Sequence, residues 1–220
     1  SIFKELIRKN FSNKHNIIFG ANKLDPETGN FFNSMLVINN RFEVIQSYNK
    51  RKLVPFGEFL PFEKILNNLG LKKITEGHGS FLRGKKNDNL IINELNILPL
   101  ICYEVIFTNL IQESNINTNL IINISEDGWF GKTIGPEQHF AKSIFRAIEN
   151  NTFFLRSTNK GLSAIIDNKG NIIKQLNRNE AGNIELEIPL IKSNKVKNDL
   201  IFFTLLITYL LIFLIYKKND

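Results

Sequence analysis

The chain has 220 residues, of which 43% are hydrophobic, and its formal net charge is +7. This length suffices for one sizeable core, and its single cysteine, Cys102, excludes an intrachain disulfide framework and a cysteine-based zinc cluster. The basic residues are spread out without a recognition motif, so the charge predicts no nucleic-acid partner and instead fits attraction to an anionic membrane surface.

The first half of the sequence predicts a helix, three strands and a long loop. Two apolar runs flank Asn39 and Asn40, a pattern typical of a β-hairpin. Two prolines and a glycine within residues 49–61 indicate an ordered loop. In chain order, we predict an amphipathic helix within residues 1–16, a strand at 16–22, the two hairpin strands, a short helix at 62–69 and a polar loop or lid at 71–89.

The second half alternates strands and helices up to about residue 190. Pro136 stands where the first turn of a helix tolerates proline, and apolar residues then recur at helical spacing through Asn150. Strands that alternate with helices, together with hairpins, indicate a mixed α/β layered fold. The predicted strands are 96–101, 118–125, 152–158, a hairpin at 162–176 that turns at 168–171, and 182–190; the predicted helices are 104–113 and 136–150.

The C-terminal part predicts a membrane helix. Residues 200–216, "LIFFTLLITYLLIFLIY", are 17 residues without a charge. At about 1.5 Å per residue they extend roughly 26 Å, just under a hydrocarbon core of about 30 Å. A buried core helix is the alternative. We therefore divide the chain into a domain at 1–190, a linker at 191–199, a transmembrane helix at 200–216 and a basic tail at 217–220.

Cys102 is the most informative residue, because an apolar run precedes it and Glu104 follows two residues later. Taken alone, it could be a small buried hydrophobe. A nucleophilic thiol must lose its proton, and the oxyanion that it generates must be stabilised. The three histidines, His15, His78 and His139, lie outside any recognisable cysteine-protease context. A carboxylate and a lysine can supply the same two functions.

Four stretches appear in a specific order: "YNKRKLVPFGEFLPFE" (48–63), "ICYEVIF" (101–107), "NISEDGWFG" (123–131) and "GPEQHFAKSIFRAIENNTFFLRSTNKGLSAIID" (135–167). Together they resemble the nitrilase superfamily and, within it, the apolipoprotein N-acyltransferase family. The resemblance covers roughly residues 16–190. It implies an α-β-β-α layered sandwich, followed here by the single predicted membrane helix.

The resemblance implies four catalytic positions. Cys102 matches the nucleophile at a strand-to-helix elbow, and Lys50 matches the lysine that stabilises the oxyanion. Glu58 and Glu104 match two further active-site carboxylates. Each residue also has an ordinary alternative: Lys50 could belong to a solvated basic run, Glu58 could be a surface carboxylate, and Glu104 could cap the following helix.

Two further positions would contact the substrate. The backbone N–H of Tyr103 would help to form the oxyanion hole, and Trp129 matches an aromatic residue near the acyl chain, although a lone tryptophan is most often a core residue. Besides residues 71–89, residues 129–135 are a candidate lid.

The resemblance also implies a general-base glutamate ahead of the strand at 16–22. Glu5 is the one carboxylate in the first 15 residues, and it is a poor candidate because its segment looks like the helix after that glutamate. We therefore expect that the sequence is the C-terminal part of a longer enzyme, lacking the base and further membrane helices.

The reaction that the resemblance implies is acyl transfer from a membrane phospholipid, through a Cys102 thioester, to the N-terminal amine of a diacylglyceryl-cysteine apolipoprotein. It needs no metal or cofactor. The expected location is the outer, periplasmic face of the bacterial cytoplasmic membrane. Two alternatives are an amidase that hydrolyses a small amide and a membrane-anchored domain that has lost catalysis.

Overall fold

The computed structural model describes residues 2–62, 80–85, 89–112, 117–191 and 199–219. Four α-helices, two 3₁₀-helices and nine strands lie in these ranges. The α-helices are α1 (Ile2–Asn10), α2 (Thr108–Gln112), α3 (Gly135–Asn150) and α4 (Asp199–Asn219), and the 3₁₀-helices are Cys102–Ile106 and Asp127–Phe130. The strands are β1 (Ile17–Leu24), β2 (Phe31–Ile38), β3 (Val44–Asn49), β4 (Leu90–Ile92), β5 (Leu95–Ile101), β6 (Leu120–Glu126), β7 (Phe153–Asn159), β8 (Ser163–Ile166) and β9 (Ile172–Leu176).

The smaller sheet is antiparallel and has the order β1-β2-β3. Strand β2 pairs with both neighbours, and the turn that joins it to β3 is closed by a hydrogen bond from the Phe42 N–H to the Asn39 carbonyl, 3.0 Å long. The hairpin predicted around Asn39 and Asn40 is thus confirmed. The predicted strand at 16–22 is also confirmed, as β1.

The larger sheet has the order β4-β5-β6-β7-β8-β9. Its centre, β5-β6-β7, is parallel, whereas the outer strands pair in antiparallel fashion. Parallel strands are covered on both faces, which explains why their sequences are continuous apolar runs rather than alternating ones. The carboxyl ends of β5, β6 and β7 therefore meet at one edge of this sheet, where an open α/β sheet binds its ligands.

Two hydrophobic clusters hold the layers together. One lies between the sheets and joins Met35 and Tyr48 of the small sheet to Ile97 and Ile101 of the large one. The other lies on the opposite face of the large sheet, where α3 packs through side chains such as Phe140. On the small-sheet side, α1 buries Ile7, and its Lys4 ammonium lies 5.3 Å from the Phe42 ring centroid. The layers are those of the expected α-β-β-α sandwich.

Several predicted elements differ from the structure. The helix predicted at 104–113 is a 3₁₀-helix followed by the short α2, because the chain turns sharply at Cys102. The strand predicted at 182–190 is not a strand: its alternating side chains Ile184, Leu186 and Ile188 pack against the core between the sheets without a strand assignment. The helix predicted at 62–69 and most of the lid predicted at 71–89 lie outside the described residues.

The predicted C-terminal helix is present as α4, and the large apolar side chains from Ile201 to Tyr216 are exposed. Within the described part of the chain, however, no helix is both long and apolar enough to cross a bilayer. The uncharged run has only 17 residues, and the polar residues Asp199 and Lys217 flank it. The prediction of a transmembrane span is therefore unsupported.

Candidate active site

Cys102 lies at an elbow where β5 ends and the first 3₁₀-helix begins. Its φ is 51°, in the left-handed region, which costs a non-glycine residue about 1–3 kcal/mol. This turn brings the half-buried cysteine to the wall of a cavity of about 1820 Å³. The predicted residues Lys50, Glu58, Tyr103 and Trp129 also line this cavity.

Lys50 and Glu58 form an ion pair on the cavity wall. The Lys50 Nζ is 2.8 Å from the Glu58 Oε2, and the lysine side chain is only 1% exposed. The same carboxylate accepts hydrogen bonds from the Asn33 amide at 2.7 Å and from the Val54 N–H at 2.8 Å. These contacts fix both charges in the wall of the cavity that Cys102 also lines. The solvated alternative for Lys50 is therefore wrong.

Glu104 is fully buried, and it is absent from the described residues that line the cavity. Its Oε1 accepts from the Tyr48 hydroxyl at 2.9 Å and from the backbone N–H groups of Arg51 and Lys52 at 2.7 and 3.0 Å. Its Oε2 accepts from the Ile101 N–H at 2.9 Å. Burial raises the pKa of Glu104, although these hydrogen bonds oppose that shift. The carboxylate connects the segment that follows Lys50 to the elbow.

The two predicted substrate contacts, Tyr103 and Trp129, both line the cavity. Tyr103 lines the cavity, and its ring packs edge-on against Phe107 with the centroids 5.0 Å apart. Trp129 lies in the second 3₁₀-helix and is 66% exposed, so the interpretation of this residue as part of the core is wrong. Its indole lies at the cavity wall where solvent also reaches it.

A buried polar network behind the elbow was not predicted as part of the site. The His139 Nε2 lies 3.2 Å from the carbonyl oxygen of Cys102, and the His139 Nδ1 lies 3.1 Å from the Asp127 Oδ1. Arg156 donates to the Asp127 Oδ2 at 2.7 Å and also contacts the side chains of Asn123 and His139. The sequence signal was available, because all four residues lie within the stretches that carry the family resemblance.

Asp127 is held in its charged form by this network. Burial alone would raise the pKa of Asp127, but the hydrogen bond with His139 and the positive charge of Arg156 together lower it below its usual value. Arg156 is 3% exposed, and burial is the main reason why its pKa is lowered. Asp127 and Arg156 therefore form a buried ion pair, and His139 connects this pair to the backbone of Cys102.

The remaining predicted candidates lie elsewhere. Glu5 is exposed on α1 and is not among the described residues that line the cavity. Its position agrees with the interpretation of the sequence that Glu5 is a poor candidate for the general base. His15 contacts the Ser12 hydroxyl at 2.9 Å, and His78 lies outside the described residues. His139, which the sequence did not place in a recognisable catalytic context, lines the cavity and contacts the backbone of the cysteine.

This geometry can be compared with known proteins. The model of the carbon-nitrogen hydrolase family matches residues 4–198. The chain belongs to the carbon-nitrogen hydrolase family. Solved structures agree on the fold: Saccharomyces cerevisiae Nit3, a member of the nitrilase superfamily, has a TM-score of 0.59 at 19% identity, with 82% of this chain and 63% of that one covered. An amidase from Nesterenkonia sp. has a TM-score of 0.56 at 16% identity, covering 81% and 64%.

Curated relatives of this chain carry a more specific name. The apolipoprotein N-acyltransferase of Rickettsia typhi is 41% identical over 171 residues, which are 76% of this chain and 34% of that protein. The enzyme of the same name from Rhizobium leguminosarum is 38% identical over 170 residues, 76% of this chain and 32% of that protein. The chain thus spans about a third of the length of these relatives.

Proposed function

We propose that this chain carries the acyl-transfer site of an apolipoprotein N-acyltransferase. The observation on which the proposal depends is that Cys102, in a left-handed elbow, faces the same cavity as the buried Lys50–Glu58 ion pair. A thiol nucleophile and a fixed ammonium group are the two parts that acyl transfer through a thioester requires. The names of the relatives support the choice of acyl transfer among the reactions that such a site could perform.

The first half-reaction transfers an acyl group to sulfur. Cys102 loses its proton to the general-base glutamate that the family resemblance implies. The thiolate attacks an ester carbonyl of a phospholipid, and the Lys50 ammonium and the Tyr103 N–H stabilise the oxyanion. The ester C–O bond then breaks, the lysophospholipid leaves with the proton, and a thioester remains on Cys102.

The second half-reaction regenerates the thiol. The N-terminal amine of a diacylglyceryl-cysteine apolipoprotein attacks the thioester carbonyl, a C–N bond forms and the C–S bond breaks. The amine proton returns to the sulfur through the base. The reaction uses no metal or cofactor, since the cysteine carries the acyl group between the two substrates.

The surface of the cavity suits a lipid substrate. Its lining includes many apolar side chains, among them Ile18, Phe19, Phe31, Ile122, Ile124 and Leu155. Large apolar side chains are also exposed near it: Phe56 is 46% exposed and follows the lining residue Pro55. Because both substrates are lipid-anchored, we infer that this face meets the outer surface of the bacterial cytoplasmic membrane.

Mass spectrometry of the intact protein tests the proposal. After incubation with phospholipid vesicles, the full-length protein, which includes the general base, should gain the mass of one acyl group on Cys102, and a synthetic diacylglyceryl-cysteine peptide should then remove that group as an amide. Cys102→Ala should gain no mass, and Glu187→Ala, a change at an exposed residue outside the cavity, should behave like the unchanged protein.

Two results would contradict the proposal. Rapid hydrolysis of a small amide without an acyl adduct from lipid would favour the amidase alternative. Activity that survives Cys102→Ala, or no reaction with either substrate in the full-length protein, would favour a domain that has lost catalysis.

A further inference from the structure

The backbone carbonyl group of Cys102 accepts hydrogen bonds that the sequence did not predict. In the left-handed conformation, this oxygen meets two side-chain donors: the His139 Nε2 at 3.2 Å and the Asn123 Nδ2 at 3.5 Å. Asn123 also donates to the Leu100 carbonyl at 3.0 Å, so its amide is fixed along β5. Histidine therefore makes the shorter of the two contacts to the oxygen, and it reaches the oxygen from α3.

The peptide group after Cys102 has two ends that cannot move independently. A trans peptide is planar, and its C=O and N–H bonds point in opposite directions. The described residues contain no cis peptide bond. A contact that fixes the Cys102 carbonyl oxygen therefore also fixes the direction of the Tyr103 N–H, which is the donor that the proposed function assigns to the oxyanion.

We propose that His139 is a positioning residue that aims the Tyr103 N–H at the developing oxyanion by holding the Cys102 carbonyl. This inference deepens the proposed function and rests on it. With a proton on Nε2, the ring donates to the carbonyl in both of its charge states. Its Nδ1 then accepts from Arg156 when the ring is neutral and donates to Asp127 when the ring is protonated.

The surroundings of His139 restrict the ring to this position. The ring is 5% exposed and lies 5.5 Å from the Phe130 ring, centroid to centroid. Asp127 is itself fixed by Arg156 and by the Ser125 hydroxyl at 2.6 Å. A hydrogen bond to a carbonyl also polarises the peptide and strengthens its N–H as a donor. The Asp127–Arg156 ion pair thus affects the proposed acyl transfer through His139 and the peptide group that joins Cys102 to Tyr103.

The test separates a reaction that forms an oxyanion from one that does not. Acylation of Cys102 by p-nitrophenyl acetate passes through a tetrahedral oxyanion, whereas alkylation by iodoacetamide is a displacement at carbon and needs no oxyanion donor. Both rates are measured in the full-length protein at pH 9, where an ordinary thiol is largely ionised without a general base. Neither reagent is a phospholipid, so the outcome is separate from that of the lipid experiment.

We expect His139→Leu to slow acylation by about tenfold to a hundredfold, a part of the 10²–10³ that a lost oxyanion donor costs. Alkylation should stay within about twofold of the unchanged protein. His139→Gln should recover most of the acylation rate, because its amide N–H can donate to the same carbonyl. His15→Leu, which removes an exposed histidine outside the cavity lining, should change neither rate.

A parallel fall of both rates in His139→Leu would show a merely structural role and would overturn the inference, as would two unchanged rates. The same holds if Cys102 of the unchanged protein acetylates no faster than in urea, since the N–H would then stabilise nothing. If His139→Leu does not fold, His139→Asn supplies the same comparison, because its side chain is too short to reach the carbonyl.

Discussion

Removal of the Glu104 carboxylate should destabilise the protein strongly. Four donors point at this fully buried group: the Tyr48 hydroxyl and the backbone N–H groups of Arg51, Lys52 and Ile101. A buried donor left without a partner costs about 1–3 kcal/mol. Glu104→Ala leaves four, or about 4–12 kcal/mol, against a total stability that is typically about 5–15 kcal/mol.

Two milder variants should each lower the stability by less than Glu104→Ala does. In Glu104→Gln, the amide oxygen can keep the three donors on the Oε1 side, while its NH₂ group faces the Ile101 N–H, so one donor loses its partner and about 1–3 kcal/mol is lost. Tyr48→Phe removes one donor and should cost about 1.5–3 kcal/mol, the value of a hydrogen bond to a charged group. Burial raises the pKa of Tyr48, so its hydroxyl is a donor throughout the accessible pH range.

Urea unfolding measures the series, with the exposed Glu187→Ala as a control that should stay within about 0.5 kcal/mol of the unchanged protein. We expect Glu104→Ala to lose at least about 4 kcal/mol, the low end of the sum, because water entering the vacated space can satisfy some donors. A loss below about 2 kcal/mol, or equal losses in the Ala and Gln variants, would refute the role of Glu104 as a tie between the lysine segment and the elbow.

Three further predictions concern the charged groups of the site. Lys50→Met and Glu58→Gln should each lower the free energy of unfolding in urea by about 3–5 kcal/mol, because each leaves the other charge of the pair without its partner. The double variant should lose less than the sum of the two single losses, and strictly additive losses would contradict the pairing. The lowered pKa of Asp127 means that its charge contributes stability above the unfolded-state value near 3.8, and that this contribution is lost as the pH falls through the lower folded value. The stability deficit of Asp127→Asn should therefore shrink between pH 7 and pH 3, and a constant deficit would disprove the linkage. Gly161→Ala should cost roughly 1–3 kcal/mol, because its Cβ would overlap the Asp127 carboxylate. Each kcal/mol should lower Tm by about 2–4 °C, and an unchanged Tm would contradict that close approach.

The sequence predicted the parts of the fold that burial dictates directly. The strands that became β5, β6 and β7 were readable because strands covered on both faces are continuous apolar runs. Apolar alternation misled at residues 182–190, where the alternating side chains pack on the core without a strand assignment. Hydrophobic periodicity records which side chains face the core, and it does not record whether the backbone finds a hydrogen-bonded neighbour.

The sequence predicted candidate residues for the site but not their arrangement. Cys102, Lys50 and Glu58, which the family resemblance marked as catalytic candidates, line one cavity. Glu104 stands only two residues from the cysteine, yet it lies behind the wall of the cavity. The reason is the left-handed turn at Cys102, a backbone property that a cysteine rarely adopts and that no spacing of side chains announces. His139 was overlooked because its partner is a backbone carbonyl.

The left-handed turn at Cys102 explains why several buried polar side chains lie around this one residue. A glycine would adopt a φ of 51° without cost, but a glycine carries no thiol, so the elbow must hold a cysteine in a conformation that costs about 1–3 kcal/mol. Glu104 fixes the backbone before the cysteine through the Ile101 N–H, and His139 fixes the backbone after it through the Cys102 carbonyl. Each of these hydrogen bonds contributes about 1 kcal/mol or more, which is enough to offset the strain. These two side chains therefore make it possible for the thiol and the Tyr103 N–H to have defined directions before any substrate binds.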